Sequence, residues 1–344
     1  MLQLQPEVFR ALDDTPDGLR TALQSAVALE HATIPTYLYA LYSLAPGKNE
    51  QIRELIASVV IEEMSHMALA CNILNAVGGA PQIDDPGFIP RYPGPLPGGV
   101  ESQLVVPLER FSRNLVHDVF MEIEEPEEVL DFPVAEAVAP GATIGQFYTA
   151  IKEQIGTLGP SIFTGEQDLQ VTGVFADIGL IAVHDVNTAG DAIDTIVEQG
   201  EGTNQSPLDP EHDPAHYYRF AEIFHGKRLI PNPDAPPDAP PEQRYIYGGD
   251  PIPFDERGVL PVPANPKLSD YPAGSQAHYA CNAFNYTYTS VLKSLHATFN
   301  GEPDHLWAAI GLMESLKLQA LDLMAIPSGP GNAGPSFEYQ PVSA

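Results

Sequence analysis

Glu63-Met64-Ser65-His66 sets a carboxylate and an imidazole three residues apart. On a helix that spacing turns both side chains to one face, within reach of a single metal ion. The neighbours make such a site costly without a cation. His66 lies in line with Leu55, Val59 and Ile73, and Glu62 and Glu63 share that apolar face within a turn. Glu30 likewise stands in the middle of a stripe of Leu23, Ala26, Ile34, Tyr37 and Leu41. An unpaired carboxylate there must be neutralised, hydrogen-bonded or bound to a cation. The midpoint between Glu30 and Glu63 falls in Pro46-Gly47, so an antiparallel hairpin about that turn sets the two acids opposite each other. A buried Glu–His network without metal is the alternative.

A dinuclear site needs a matching contribution from a second helix pair. Glu198 and Glu201 close one candidate helix in the string Glu198-Gln199-Gly200-Glu201-Gly202, and the next carries His216 and a second formal Glu-x-x-His, Glu222 to His225. With His216 as reference, Phe220 and Ile223 share its face while Glu222 and His225 fall on the far side, so His216 is the preferred inward ligand. Hairpin arithmetic does not separate the two choices. Oxygen and imidazole donors suit iron or manganese, and the lack of thiolate pairs argues against structural zinc. The candidate metal ligands are therefore Glu30, Glu63, His66, Glu198, Glu201 and His216, for two ions of iron or manganese. Tyr37 and Tyr39 follow Glu30 closely enough for proton or electron transfer, with ordinary packing as the alternative. Glu314 and Lys317 have the spacing of a simple ion pair.

The elements that must position these groups are helices. Proline is abundant, 35 of 344 residues, but clustered, and the intervals between clusters carry a 3.6-residue apolar period. The pattern predicts helices over 18–44, 49–77, 143–158, 187–202 with Asn187 as N-cap, 213–226 opening at Asp213-Pro214, 275–299 and 303–325. Segments 80–140 and 230–274 are proline-rich arms, the first expected to hold small strands at most, the second to wrap the core. The fold class expected is all-α: one domain over 1–344 with a helical core at 18–78 and 187–226, long proline-rich crossover arms, and a C-terminal helical hairpin at 275–326.

Composition excludes whole classes of function. The formal charge is −30, from 16 Lys plus Arg against 46 Asp plus Glu, so neither nucleic acid nor an anionic membrane surface is an expected partner. Cys71 and Cys281 build no disulfide framework. The acidic start and the absence of a long uncharged apolar run predict a cytoplasmic protein without a membrane span.

Several strings together resemble the ferritin-like domain family that includes the corresponding region of bacterial iminophenylpyruvate dimer synthases, enzymes of bisindole pigment pathways. They are Leu29-Glu30-His31 through Tyr42, Glu62-Glu63-Met64-Ser65-His66, Glu198 to Gly202, Ala215-His216-Tyr217-Tyr218-Arg219-Phe220, and Ala333-Gly334-Pro335-Ser336-Phe337. The resemblance covers most of the chain and implies a ferritin-like four-helix bundle. It also implies a di-iron or di-manganese centre held by Glu30, Glu63, His66 and Glu198 or Glu201 with His216. His225 is not part of the family pattern. The dimer synthases are much longer chains, so their particular reaction is not implied. The expected function is a metal-dependent oxidoreductase acting on a small organic substrate, such as an amino-acid-derived imine or amine, as a homodimer or beside a partner enzyme of a biosynthetic pathway. The alternatives are a non-catalytic metal-binding module and manganese-catalase-like peroxide dismutation.

Overall fold

Residues 15–97, 104–126, 130, 144–172 and 180–340 are described by the computed structural model of the chain. Thr15 opens the first helix, α1 (Pro16–Ser43): its hydroxyl accepts from Gly18 N at 3.1 Å, and Pro16 occupies the first turn, where its missing N–H costs nothing. α1 continues through Pro35 and reverses at Gly47, whose φ of +74° suits glycine, into α2 (Glu50–Ala76). The two helices pack along their lengths as an antiparallel hairpin.

α2 is long and apolar enough to cross a membrane by length and composition, with a mean hydropathy of 1.2 in its most apolar window. That window is 67% buried inside the fold, so its apolarity serves the core. α4 (Ile144–Leu158) and α5 (Val186–Glu201) pack on each other. α4 also packs on α1 and α5 on α2, so the four helices enclose one apolar interior. Asp185 caps α5 through a reciprocal pair with Thr188, in place of the expected Asn187, which lies within the first turn.

Residues 113–123, inside the first proline-rich arm, form a helical segment that we number α3. It runs through Arg113–Leu115, a π-helical turn at Val116–Phe120, and Met121–Ile123. Helix was not expected there; Val116, Val119, Phe120 and Ile123 bury its inner side and hold it. The expected strand around Leu104-Val105-Val106 reduces to one bridge between Gly94 and Val106.

α6 (His216–His225) begins later than Asp213-Pro214 predicted. Ala215 N donates to Pro207 O, and Leu208 bridges Pro214, which keeps 213–215 extended. α6 packs on α2, α3 and α5. The second arm forms a small hairpin, β1 (Lys227–Pro231) with β2 (Tyr245–Pro251), so the chain is predominantly but not wholly helical. The C-terminal helices α7 (Gln276–Phe299) and α8 (His305–Met324) pack on each other, α7 touching α2 and α8 touching α1. A two-residue pair, β3 (Pro327–Ser328) with β4 (Gly331–Asn332), follows. Glu314 and Lys317 form no ion pair among the described residues, contrary to their spacing. Cys71 and Cys281 are free and buried.

Candidate metal centre

α1 supplies Glu30, α2 supplies Glu63 and His66, the residue after α3 is Glu124, and α6 opens with His216. All five side chains are buried, His216 completely. One ligand atom each from Glu63, His66 and His216 lies within 4.8 Å of the other two. His216 Nδ1 is 2.9 Å from Glu63 Oε1 and 3.5 Å from Glu124 Oε2; His66 Nδ1 is 3.7 Å from Glu63 Oε1 and 3.8 Å from Glu30 Oε2. Both imidazoles therefore aim Nδ1 at Glu63, His66 with Glu30 beside it and His216 with Glu124.

The outer nitrogens fix that orientation. His66 Nε2 lies 3.0 Å from Gln199 Oε1, an oxygen that can only accept, so Nε2 carries the proton and Nδ1 the lone pair. His216 Nε2 lies 3.0 Å from Glu62 Oε2 and donates to it in the same way. Each carboxylate of the cluster also has a hydroxyl partner. Tyr148 donates to Glu30 at 2.6 Å, Tyr37 donates to Glu124 at 2.5 Å, and the Thr33 hydroxyl stands 2.7 Å from Glu63 Oε2.

Three converging carboxylates need protons or a cation to compensate them. Arg219 is not that cation, because its guanidinium is held by Glu62 at 2.6 Å and Asp209 at 3.6 Å. Burial, then repulsion from Glu63, pushes the Glu30 carboxyl well above the usual range. Burial, then Glu124, raises that of Glu63. Burial lowers His66 to about 3, so it is neutral. Burial would lower His216 too, but the surrounding carboxylates of Glu124, Glu62 and Glu63 outweigh it and push the imidazole up. Burial opposes ionisation of Glu62, yet His216 and Arg219 hold it down at about 2. The set is acidic, oxygen-rich and capped by neutral-capable imidazoles, which matches iron or manganese better than thiolate-seeking metals. His216 Nδ1 is buried without a hydrogen-bond partner despite its carboxylate neighbours. A cation placed between them would satisfy it.

A cavity of about 30 Å³ adjoins the cluster, lined by Glu30, Glu63, His66 and Glu124 and by the apolar Ile144 and Ile196. Glu201 also lines it, with Oε1 accepting from Gly145 N in the first turn of α4 at 2.7 Å. Glu198 does not line it; it is partly exposed near Asp194 and Glu211, where burial and then Asp194 raise its carboxyl. Glu222 and His225 point away from the cluster. Glu222 is buried against β1, accepting from Leu229 N at 2.7 Å and pairing with Arg228 at 2.8 Å, and His225 lies over Tyr247. Tyr39 turns from the site to donate to Pro263 O.

Sequence reasoning did not nominate Glu124, and it gave Glu62 no role. For Glu124 the available signal was one acid after the apolar series Val116, Val119, Phe120 and Ile123. For Glu62 it was its place within a turn of His66 on the apolar face of α2.

With the geometry in place, the comparisons agree on the fold. The crystal structure at 1.95 Å of a ferritin-like protein from Caulobacter vibrioides resembles this chain with a TM-score of 0.60, covering 94% of this chain and 97% of that one at 24% identity. Comparison with curated proteins gives no match. The model of the Ferritin-like family matches residues 23–225, more than half of the sequence, and the chain belongs to that family.

Proposed function

We propose that the protein is a metal-dependent oxidoreductase whose dinuclear iron or manganese centre uses dioxygen or a peroxide to oxidise a small organic substrate, such as an amino-acid-derived imine or amine. The observation that carries this reading is the buried convergence of Glu63, His66 and His216, one ligand atom of each within 4.8 Å of the other two, with His216 Nδ1 facing Glu63 and Glu124. Glu30, Glu63 and His66 would hold one ion, and Glu63, Glu124 and His216 the other, with Glu63 common to both. When bound the ions supply Lewis acidity and one-electron redox chemistry.

The chain's own groups do the rest. Tyr148, Thr33 and Tyr37 orient the carboxylates, and Gln199 and Glu62 fix the imidazole tautomers. Ile144 and Ile196 give the inner cavity an apolar lining. Glu201 stands where it can pass a proton at the cavity lining or, released from Gly145, complete a ligand set. A kinship with the ferritin-like region of iminophenylpyruvate dimer synthases is part of this proposal and rests on the motif strings around Glu30, Glu198 and His216.

Cavity size favours a second reading. A volume of about 30 Å³ takes one or two water-sized molecules, which suits peroxide dismutation without an organic substrate. Anomalous diffraction at the iron and manganese edges tests the centre itself: less than one equivalent of either metal after supplementation refutes both readings. With metal present, oxygen evolution from added peroxide separates dismutation from oxygen consumption that requires an amine or imine.

A further inference from the structure

The C-terminal hairpin presents a face that the rest of the chain leaves uncovered. α8 carries large apolar side chains on opposite sides, more than a helix with one buried face requires. Yet its buried residues are Ala309, Leu316, Ala320, Leu323 and Met324, which share one side. On the opposite side Trp307 and Leu318 are 61% and 62% exposed, and α7 exposes Tyr279 and Tyr286. The hairpin is also poor in charge for so acidic a chain. From 275 to 326 the sequence sets Lys293 and Lys317 against Glu302, Asp304, Glu314 and Asp322. Two copies of a protein of charge −30 repel where their acidic surfaces meet, and a net charge of only −2 over this hairpin keeps that repulsion small here.

The same helix carries both a projection and a recess for it. An open groove of about 920 Å³ lies at the C-terminal end of α8, lined by Tyr279, Ala280, Asp322, Ala325 and Ile326 among others. Trp307 projects near the N-terminal end. Lay a second α8 antiparallel to the first about a two-fold axis between Ser315 and Leu316. Trp307 of each copy then comes over the groove of the other, Ile310 lies across from Leu321, and Glu314 across from Lys317. At 3.6 residues per turn these positions fall on one side of the helix. Both charged residues are exposed, and the axis pairs them twice with opposite sign.

We propose that the protein forms a homodimer through antiparallel α8 helices, each Trp307 seated in the groove between α7 and α8 of the other copy. The occupant is a second copy because projection, recess and opposite charges sit symmetrically about one point of one helix. An isologous interface demands that self-complementarity, whereas a different partner would not.

Sedimentation equilibrium of the full chain, over sub-micromolar to tens of micromolar concentrations, should give the mass of two 37.1 kDa chains. Lys317→Glu sets acid opposite acid twice and should weaken the dimer about tenfold or more, and Trp307→Ala should weaken it comparably. The charge exchange Glu314→Lys with Lys317→Glu should restore wild-type affinity. A double variant Ile310→Cys, Leu321→Cys should cross-link into a covalent dimer under mild oxidation, while neither single variant does. A monomer at every concentration overturns the proposal. So does a dimer indifferent to Lys317→Glu and Trp307→Ala, a charge exchange that fails to restore affinity, or the absence of cross-linking in the double cysteine variant.

Discussion

Glu62→Gln should strip the protein of metal affinity while leaving its fold intact, although Glu62 is not itself placed as a ligand. The wild-type carboxylate accepts twice, from His216 Nε2 at 3.0 Å and from Arg219 Nη1 at 2.6 Å. An amide has one accepting oxygen and one donating nitrogen, and a guanidinium only donates. The glutamine oxygen must therefore turn to Arg219 and its NH₂ to His216. In the neutral imidazole that metal binding requires, Nε2 of His216 then becomes the acceptor and the one remaining proton sits on Nδ1, the atom that faces Glu63 and Glu124, where it blocks a metal ion. The opposite rotamer keeps the tautomer but sets NH₂ against Nη1, forfeiting a charge-assisted hydrogen bond of about 1.5–3 kcal/mol. Metal binding loses at least the smaller of these costs, roughly 10- to 150-fold in affinity at about 1.36 kcal/mol per decade. Groups that orient metal-bound histidines have effects of about 10- to 100-fold. The assay is competition for Mn(II) and for anaerobic Fe(II) between stripped protein and a chromophoric chelator, with circular dichroism alongside. An affinity within threefold of wild type, at unchanged helicity, would refute the tautomer argument.

Four further outcomes are expected. Glu63→Ala, His66→Ala and Glu124→Ala should each abolish or sharply reduce metal loading, measured by elemental analysis, whereas Glu198→Ala should load normally because Glu198 lies away from the cavity. Glu222→Ala should load metal but lower stability by about 1–3 kcal/mol in chemical denaturation, since it leaves the Leu229 N–H and Arg228 without their acceptor. Because Glu30, Glu63 and His216 hold protons above their ordinary ranges, metal competes with protons; affinity should fall from about pH 8 to about pH 6, and loading should release protons into a weakly buffered solution. Burial holds His31 at about 3, below its ordinary 6.5, so folding excludes its proton: this stability is fully present above pH 6.5 and is lost as pH falls toward 3. Up to about 4 kcal/mol disappears by pH 3, and the acid limb of pH-dependent denaturation should flatten correspondingly in His31→Phe.

What the sequence revealed divides along physical lines. α1, α2, α5, α7 and α8 are long enough for the 3.6-residue period to outweigh local exceptions, Pro35 included. The wheel that preferred His216 over His225 works because α6 buries one apolar side against α2 and α5 and turns Glu222 toward β1. The far side of α6 is nevertheless packed, and Glu222 is buried there. Glu124 escaped because its segment is short, and the π turn at Val116–Phe120 breaks the period that would have marked its inward side. It also sits at the head of the acidic run Glu124-Glu125-Pro126-Glu127-Glu128, which reads as a solvated loop. Glu198 and Glu201 could not be told apart by spacing. Gln199, between them, faces His66 and sets the rotation of α5 there; Glu201 then lines the cavity and Glu198 does not.

The holders of the cluster explain how a chain can tolerate so much buried acid. Tyr148 on α4 holds Glu30, Thr33 and Tyr37 on α1 hold Glu63 and Glu124, Gln199 on α5 holds His66, and Glu62 on α2 holds His216. Each polar contact joins a different pair of elements across the interior, Thr33 with Glu63 lying within the α1–α2 hairpin. A helix such as α6, ten residues long, is marginal by itself; Glu62, reached by both His216 and Arg219, anchors it to α2 at its first turn. A short helix can thus carry a ligand because its anchoring group belongs to a long, well-packed one. The same division of labour appears at Glu124, whose irregular helix is clamped by Tyr37 from the middle of α1. The rigid hairpin of α1 and α2 therefore governs both halves of the centre, including the groups that the less regular segments contribute.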